Sequence, residues 1–384
     1  MTNAEPLPGR PLAGVRVVEL AMWVAGPAAG ALFADWGADV IKIERPGGDA
    51  FRGAMNHVGL EIEPPGPLFE LDNRGKRSVI LDLRDERDRS TFDALLARAD
   101  VFVTNLRPSA LERLGLLPES LVATNPQLIV GTITGFGWHG RDRDRPGHAT
   151  GAYWARSGLA AASAPIGDPP PMPPPGTGGH ETAVALVAGV LAKLHERGAT
   201  GRGGVVEASL LRSGMYAAGS DLAAHQRYGH EPSTPRREEC ETPLVNSYHS
   251  GDGRWFWLLC HEGERHWAGL AAALERPDLE ADPRFATAVG RFEHRRELIA
   301  EFDRAFAERT LDEWSERFDR FDVWWETVVE ADDVLVDPQA ERGLVAGTVA
   351  SPVDFDGVVP APGKAPQLGA HTAEVRTQVE STER

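Results

Sequence analysis

The sequence predicts an α/β protein, a parallel sheet covered by helices on both faces, followed by a smaller α+β domain. Three observations carry this expectation. Short apolar runs alternate with helical stretches through the first half of the chain. A chain of 384 residues exceeds what one hydrophobic core usually organises. The stretch from about Tyr228 to Asn246 is polar and proline-containing, as a crossing between domains would be.

Val15 to Leu20 (VRVVEL) is an apolar run suited to a buried parallel strand. After a glycine-bearing turn, Pro27 to Trp36 (PAAGALFADW) is small and apolar enough to pack a helix closely on a sheet, and Gly37 closes it. Ala38 to Ile43, Ser78 to Leu83, Val101 to Thr104 and Pro126 to Thr134 read as further strands. Between the middle two, Asp88 to Ala99 has helical spacing, with Phe92, Leu95 and Leu96 on one face. Residues 165–176 hold seven prolines and form a stiff, extended connection. Thr182 to Glu196 is an amphipathic helix ended by Gly198, followed by a strand at Gly204 to Ser209 and a helix at Leu210 to Ala224. The tryptophan-rich region from Ser247 to Glu330 has a mixed α+β character, and the last stretch reads as loops and short strands returning to the first domain. The expected division is 1–227, 228–330 and 331–384.

Composition narrows the partners. A formal charge of −17 disfavours nucleic acid and anionic membrane, because phosphate is repelled on average. Cys240 and Cys260 are too few for a disulfide framework and suit a reducing cytoplasm. No apolar run reaches the roughly 18 residues of a membrane span, and the N-terminal stretch MTNAEPLPGRPLAG has no signal pattern.

Chemistry is first suggested by the turn Val24-Ala25-Gly26-Pro27, which places free backbone N–H groups at a helix start, a setting that favours phosphate. Basic residues recur near strand ends: Arg45, then Arg74, Lys76 and Arg77, then Arg84, then Arg107 and Arg113. In an acidic chain such a set marks a place for a polyphosphate ligand. His148 lies in the loop RPGHATG. Glu181 stands at a helix start, where the helix dipole favours a carboxylate whatever its function. No metal-ligand spacing, P-loop, GxGxxG or Gly-x-Ser-x-Gly is present.

Several stretches in order resemble the class III CoA-transferases of the CaiB/BaiF type, the family of formyl-CoA transferase, carnitine CoA-transferase and α-methylacyl-CoA racemase. They are PLAGVRVVELAMWVAGPAAGALFADWGADVIKIERPGGD, NRGKRSVILDLR, ADVFVTNLRPSALERLGL, NPQLIVGTITGFG, GVLAKLHERGATGRGGVVEASL, DPQAERG and APQLGAHTAEV. The resemblance implies a large Rossmann-like domain built from both chain ends, a small domain from the middle, and two chains interlocked as a dimer. It implies coenzyme A thioesters as substrates, a carboxylic acid as acceptor, and no tightly bound cofactor or metal. Family contacts to CoA fall on Val24, Ala25, Arg45, Leu81, Arg84, Asn105, Leu106 and Arg113 of this sequence. Val24 departs from the glutamine of formyl-CoA transferase. His148 matches the catalytic histidine of the racemase branch, with Ala149 in place of the acidic residue that usually follows, and Glu262 matches a glutamate of that branch.

The family's transferases use an aspartate that attacks the donor thioester, ten positions before the glycine of a Gly-Ile-Leu-Ala-Ala-Leu helix. That helix matches Gly189 to Leu194 here, which puts the aspartate position on Gly179. The nearest upstream aspartate, Asp168, lies in the proline-rich run. Three accounts follow: Glu181 substitutes from two positions on, a homologous subunit of a heteromeric transferase supplies the carboxylate, or the chain does other chemistry with His148 as base or only binds the thioester.

Overall fold

The structure is a computed structural model that describes residues 9–58 and 65–382. The stretch 1–8, part of the segment read above for a signal pattern, lies outside these residues. Two compact units emerge, one holding the chain up to Ala161, Pro170–Pro232 and the end from Pro338, the other Ala162–Pro169 and Ser233–Asp337.

The first unit is built on six strands, β1 (Arg16–Leu20), β2 (Asp39–Glu44), β3 (Arg77–Ile80), β4 (Val101–Thr104), β5 (Ile129–Thr134) and β6 (Gly204–Ser209). Their order in the sheet is 3-2-1-4-5-6 and every neighbouring pair is parallel. Helices α1 (Ala25–Asp35), α2 (Pro67–Asn73), α3 (Glu86–Leu96), α4 (Pro108–Leu114), α5 (Pro118–Thr124), α6 (Leu159–Ala162), α7 (Thr177–Thr200), α8 (Leu210–Ala217) and α9 (Gly219–Tyr228) follow in chain order. Successive strand residues face opposite layers, as a pleated strand requires. Val17, Val40 and Val103 pack with Ala29, Phe33, Leu186 and Val190 of α1 and α7. Val18, Ile41 and Phe102 pack with Phe92 and Leu96 of α3 and with Val375. Chain order reverses between β1 and β4, and the crevice at such a switch point is where ligands of this architecture bind.

Some expectations need correction. The helix expected over Thr182 to Glu196 runs Thr177–Thr200, and Gly201 at φ 68°, not Gly198, ends it. Its glycine-rich first turn looked like loop, but those glycines let its backbone pack closely, as shown below. The helix expected over Leu210 to Ala224 breaks at Ala218 into α8 and α9. A helix at Thr372–Thr382 was not expected, because only Val375 and Val379 are apolar and buried on it. His371 and Thr372 bond the backbone of Ser78 and Ile80, which covers the open edge at β3.

The second unit carries the antiparallel strands β7 (Val245–His249), β8 (Trp255–Leu259) and β9 (Trp325–Thr327). An aromatic core of Tyr248, Phe256, Phe302, Phe306, Trp314 and Phe318 lies under them.

Inside the first unit sits a dry charge network. Lys42 on β2 pairs with its register neighbour Glu19 on β1 at 3.0 Å and with Asp49 at 3.0 Å, and Lys76 pairs with Glu19 at 2.7 Å. Lys42, Lys76 and Glu19 have no exposed side-chain surface. Arg74, Lys76 and Arg77, expected to help hold a polyphosphate, stand before and at the start of β3, at the far end of the sheet, and are occupied by Asp35, Glu19 and Asp39. A Cβ at Gly30 would lie 2.0 Å from Glu19 Oε2. Gly30→Ala therefore displaces the carboxylate shared by the two lysines. Breaking a buried pair costs about 3–5 kcal/mol, so a clear drop in the urea midpoint is expected, and an unchanged midpoint would show that the network yields to a methyl group.

Candidate functional site

Two clefts open at the C-terminal ends of the central strands. The first, about 530 Å³, is lined by residues after β1, β2, β3 and β4, including Arg45, Gly48, Leu81, Arg84 and Leu106. The second, about 610 Å³, lies between the start of α1, the loop at Pro146–Thr150 and the start of α7. Met22 and Leu106 line both, so the clefts share a wall.

The residues expected to contact CoA divide between them. Arg45, Leu81 and Arg84 line the first, Val24, Ala25 and Asn105 the second, and Leu106 both. Arg113, exposed in the last turn of α4, lines neither, although its neighbour Leu114 lines the first. Arg45, exposed along the first cleft, donates from Nε to Gly48 O at 3.3 Å. Arg84 is bidentate on Asp82 and holds that carboxyl down at about 2. An incoming phosphate would have to share its guanidinium with Asp82. The Asn105 side chain is committed to Met22, accepting from its N–H at 3.0 Å and donating to its carbonyl at 2.6 Å. It fixes the turn rather than offering a free amide.

That turn is strained. Trp23 has φ 66°, which for a side chain of this bulk costs about 1–2 kcal/mol. Its N–H donates to Asp49 Oδ1 at 3.2 Å, while Lys42 donates to Ala21 O and to Asp49 Oδ2, each at 3.0 Å. Trp23 and Asp49 were not read as site residues. A tryptophan in a run of small residues was the only available sign, since positive φ at a bulky residue leaves none in sequence.

His148 is exposed in the second cleft, just before a π-helical turn at Ala149–Ala155, and its ring stands edge-on to Trp23 with centroids 5.9 Å apart. Gly179 lines the same cleft, so these two are brought together. Glu181 is not. Both lie inside α7, where a two-residue step turns the side chain by about 200°. Glu181 faces a separate hollow with Glu207, Ser209 and Arg212, where its carboxylate accepts from the Tyr153 hydroxyl. Burial and that carboxylate keep the Tyr153 phenol protonated far above its ordinary range. Glu262 belongs to the second unit and pairs with Arg265.

Position 179 is also closed sterically. A Cβ there would lie 2.7 Å from Val24 Cγ1 and 3.2 Å from Val24 Cβ, and one at Gly178 would lie 2.4 Å from Tyr153 Cγ. The first turn of α7 therefore packs its bare backbone onto Val24 and Tyr153. His180 turns the other way, its Nε2 2.9 Å from Asp72 Oδ1, which ties α7 to α2. Among the described residues no cluster could hold a metal ion, and no helix is long and apolar enough to cross a membrane.

A parallel sheet whose strand order reverses beside two adjoining clefts is the α/β architecture that binds ligands at its switch point. The chain belongs to CoA-transferase family III, whose sequence profile matches residues 12–378. It is 33% identical over 380 residues to the (R)-2-hydroxy-4-methylpentanoate CoA-transferase of Clostridioides difficile, covering 95% of this chain and 94% of that one. It is 34% identical over 289 residues to the beta subunit of succinyl-CoA–L-malate CoA-transferase of Chloroflexus aurantiacus, covering 74% and 70%. A crystal structure of a CaiB/BaiF family protein from Brucella suis superposes with TM-score 0.85 at 28% identity, covering 97% of this chain and 100% of that one.

Two outcomes follow. Gly179→Asp should lose about 1–3 kcal/mol of stability through overpacking, and Val24→Ala in the same chain should recover most of it. Equal melting temperatures for the single and double variants would show that Val24 is not the obstacle. The hydrogen bond to Asp72 raises the His180 pKa, against its partial burial and the nearby Arg74. A group whose pKa rises on folding stabilises fully below its unfolded value, and loses that contribution as pH climbs through the folded one. The stability advantage of the protein over His180→Gln should therefore grow from about pH 8 to about pH 6, and it should vanish in an Asp72→Asn background.

Proposed function

We propose that the chain binds a CoA thioester along the two clefts and serves in CoA transfer to a carboxylic acid, with the nucleophilic carboxylate supplied by a homologous subunit. The nucleotide runs over Arg45 and Arg84, and the thioester lies between Val24, Gly179 and His148. One observation carries this reading: where the family resemblance puts the aspartate, the chain has a glycine packed against Val24. In the transferase reaction a carboxylate oxygen attacks the thioester carbonyl, CoA leaves as thiolate, and a mixed anhydride remains on the enzyme. Glycine has no atom for that step, and Glu181 faces another hollow. The Chloroflexus relative is a beta subunit, which supports an assembly of unlike chains; that the chains interlock as a dimer is what the family resemblance implies. CoA enters and leaves as substrate, with no tightly bound cofactor. A cytoplasmic location suits two cysteines that are both free.

A second reading rests on His148, the exposed titratable group in the second cleft. It could act as base on the acidic proton α to the thioester carbonyl. That activity would appear as deuterium exchange into the acyl group, lost in His148→Ala.

Incubating the purified chain with acyl-CoA and hydroxylamine, followed by peptide mass analysis, decides the main reading. The expected result is no hydroxamate within residues 178–182, with acyl-CoA still held in native mass spectra and transfer appearing only when a carboxylate-bearing homologous subunit is added. A hydroxamate on Glu181, or transfer by the single chain, overturns the proposal.

A further inference from the structure

The wall of the second cleft points to the kind of acyl group it takes. Met22, Trp23, Val24, Ile133, Ala149 and Leu210 give it an apolar lining, and among the lining residues only Arg107 and His148 can carry positive charge. Arg107 Nη1 is turned to the Asp144 carbonyl at 3.3 Å. Across the apolar part of that lining a hydrocarbon group finds a surface of its own kind.

Within that wall Trp23 stands apart. It is one of five non-glycine residues with positive φ among the described residues, and the others are Glu275, Asp322, Ala346 and Asp356. None of those approaches an indole in bulk. Its backbone N–H is held by Asp49, the preceding Met22 is held by Asn105 through both its N–H and its carbonyl, and Asp49 is itself anchored by the buried Lys42. Trp23 is nonetheless 38% exposed. It meets His148 edge-on and lies tilted against Phe51 at 5.8 Å. Strain that the surrounding structure enforces, at a side chain left open in a cleft, is the mark of a residue held for contact with a ligand rather than for packing.

We propose that Trp23 determines acyl specificity: its clamped indole forms the face on which a branched or aromatic apolar acyl group packs beside His148. This rests on the reading that the thioester occupies the second cleft. Offset or edge-on contact with an aromatic face discriminates by shape as well as by apolar area.

Calorimetry with free CoA, 3-methylbutanoyl-CoA and succinyl-CoA tests it. Glycine is the substitution of choice, because it adopts φ 66° without strain. Trp23→Gly is expected to weaken 3-methylbutanoyl-CoA about tenfold while free CoA and succinyl-CoA change less than about twofold. Trp23→Phe, which keeps an aromatic face, should retain most of the preference and serves as the second variant. Equal weakening of all three ligands, or no change in any, overturns the proposal and makes Trp23 a structural residue. Failure of the unaltered protein to bind free CoA at all overturns the cleft reading instead, and this proposal with it.

Discussion

Everything at the switch point hangs on the buried ammonium of Lys42. Two lysines and two carboxylates lie together without solvent, Glu19 joining both lysines and Asp49 joining one. Desolvating four charges is expensive, and well-packed apolar residues in such positions are often no less stable. What apolar residues could not do is reach out of the sheet. Lys42 bonds the Ala21 carbonyl, and Asp49 bonds the N–H groups of Trp23 and Phe51. The network thus carries the rigidity of β1 and β2 into the turn that lines both clefts. Gly30 is part of the same device, since any side chain there would occupy the space of the Glu19 carboxylate.

Much of this architecture was legible in the chain. Runs such as VRVVEL and VFVT are too short and too uniformly apolar for surface helices, and all six strands of the large sheet were found. What failed had local causes. Arg74, Lys76 and Arg77 were grouped with the phosphate-end arginines although they precede the run read as the third strand, which puts them at the opposite end of a parallel sheet from Arg45 and Arg84. The C-terminal helix shows only two apolar contacts, too few for a periodic signal.

The site was half legible. The family resemblance led to Gly179 and His148, and the structure places both on one cleft. Glu181 followed from supposing that the helix starts only at Thr182, so that the turn before it could be reshaped. Because α7 already begins at Thr177, the two positions sit on one rigid helix and point apart. Nothing in the sequence reports the contact between Val24 and the bare backbone of α7, which lies across more than a third of the chain's length. The same holds for Trp23, whose importance rests on a dihedral angle.

On the proposed reading, the cleft has lost a nucleophile and kept its electrostatics. Val24 is the N-cap of α1 and Gly176 that of α7, and both line the second cleft. Two helix starts thus border the cleft proposed for the thioester, each turning the positive end of its dipole toward it. Such an arrangement stabilises negative charge developing on the carbonyl oxygen. It does so equally whether the attack comes from a carboxylate of another subunit or the charge arises from removal of an α-proton. The side chain at position 179 decides only which of these this chain can begin by itself. If position 179 is the family's aspartate position, glycine there removes the attacking group and leaves the polarising field in place, so the proposed role keeps a use for CoA thioesters without the first step of transfer.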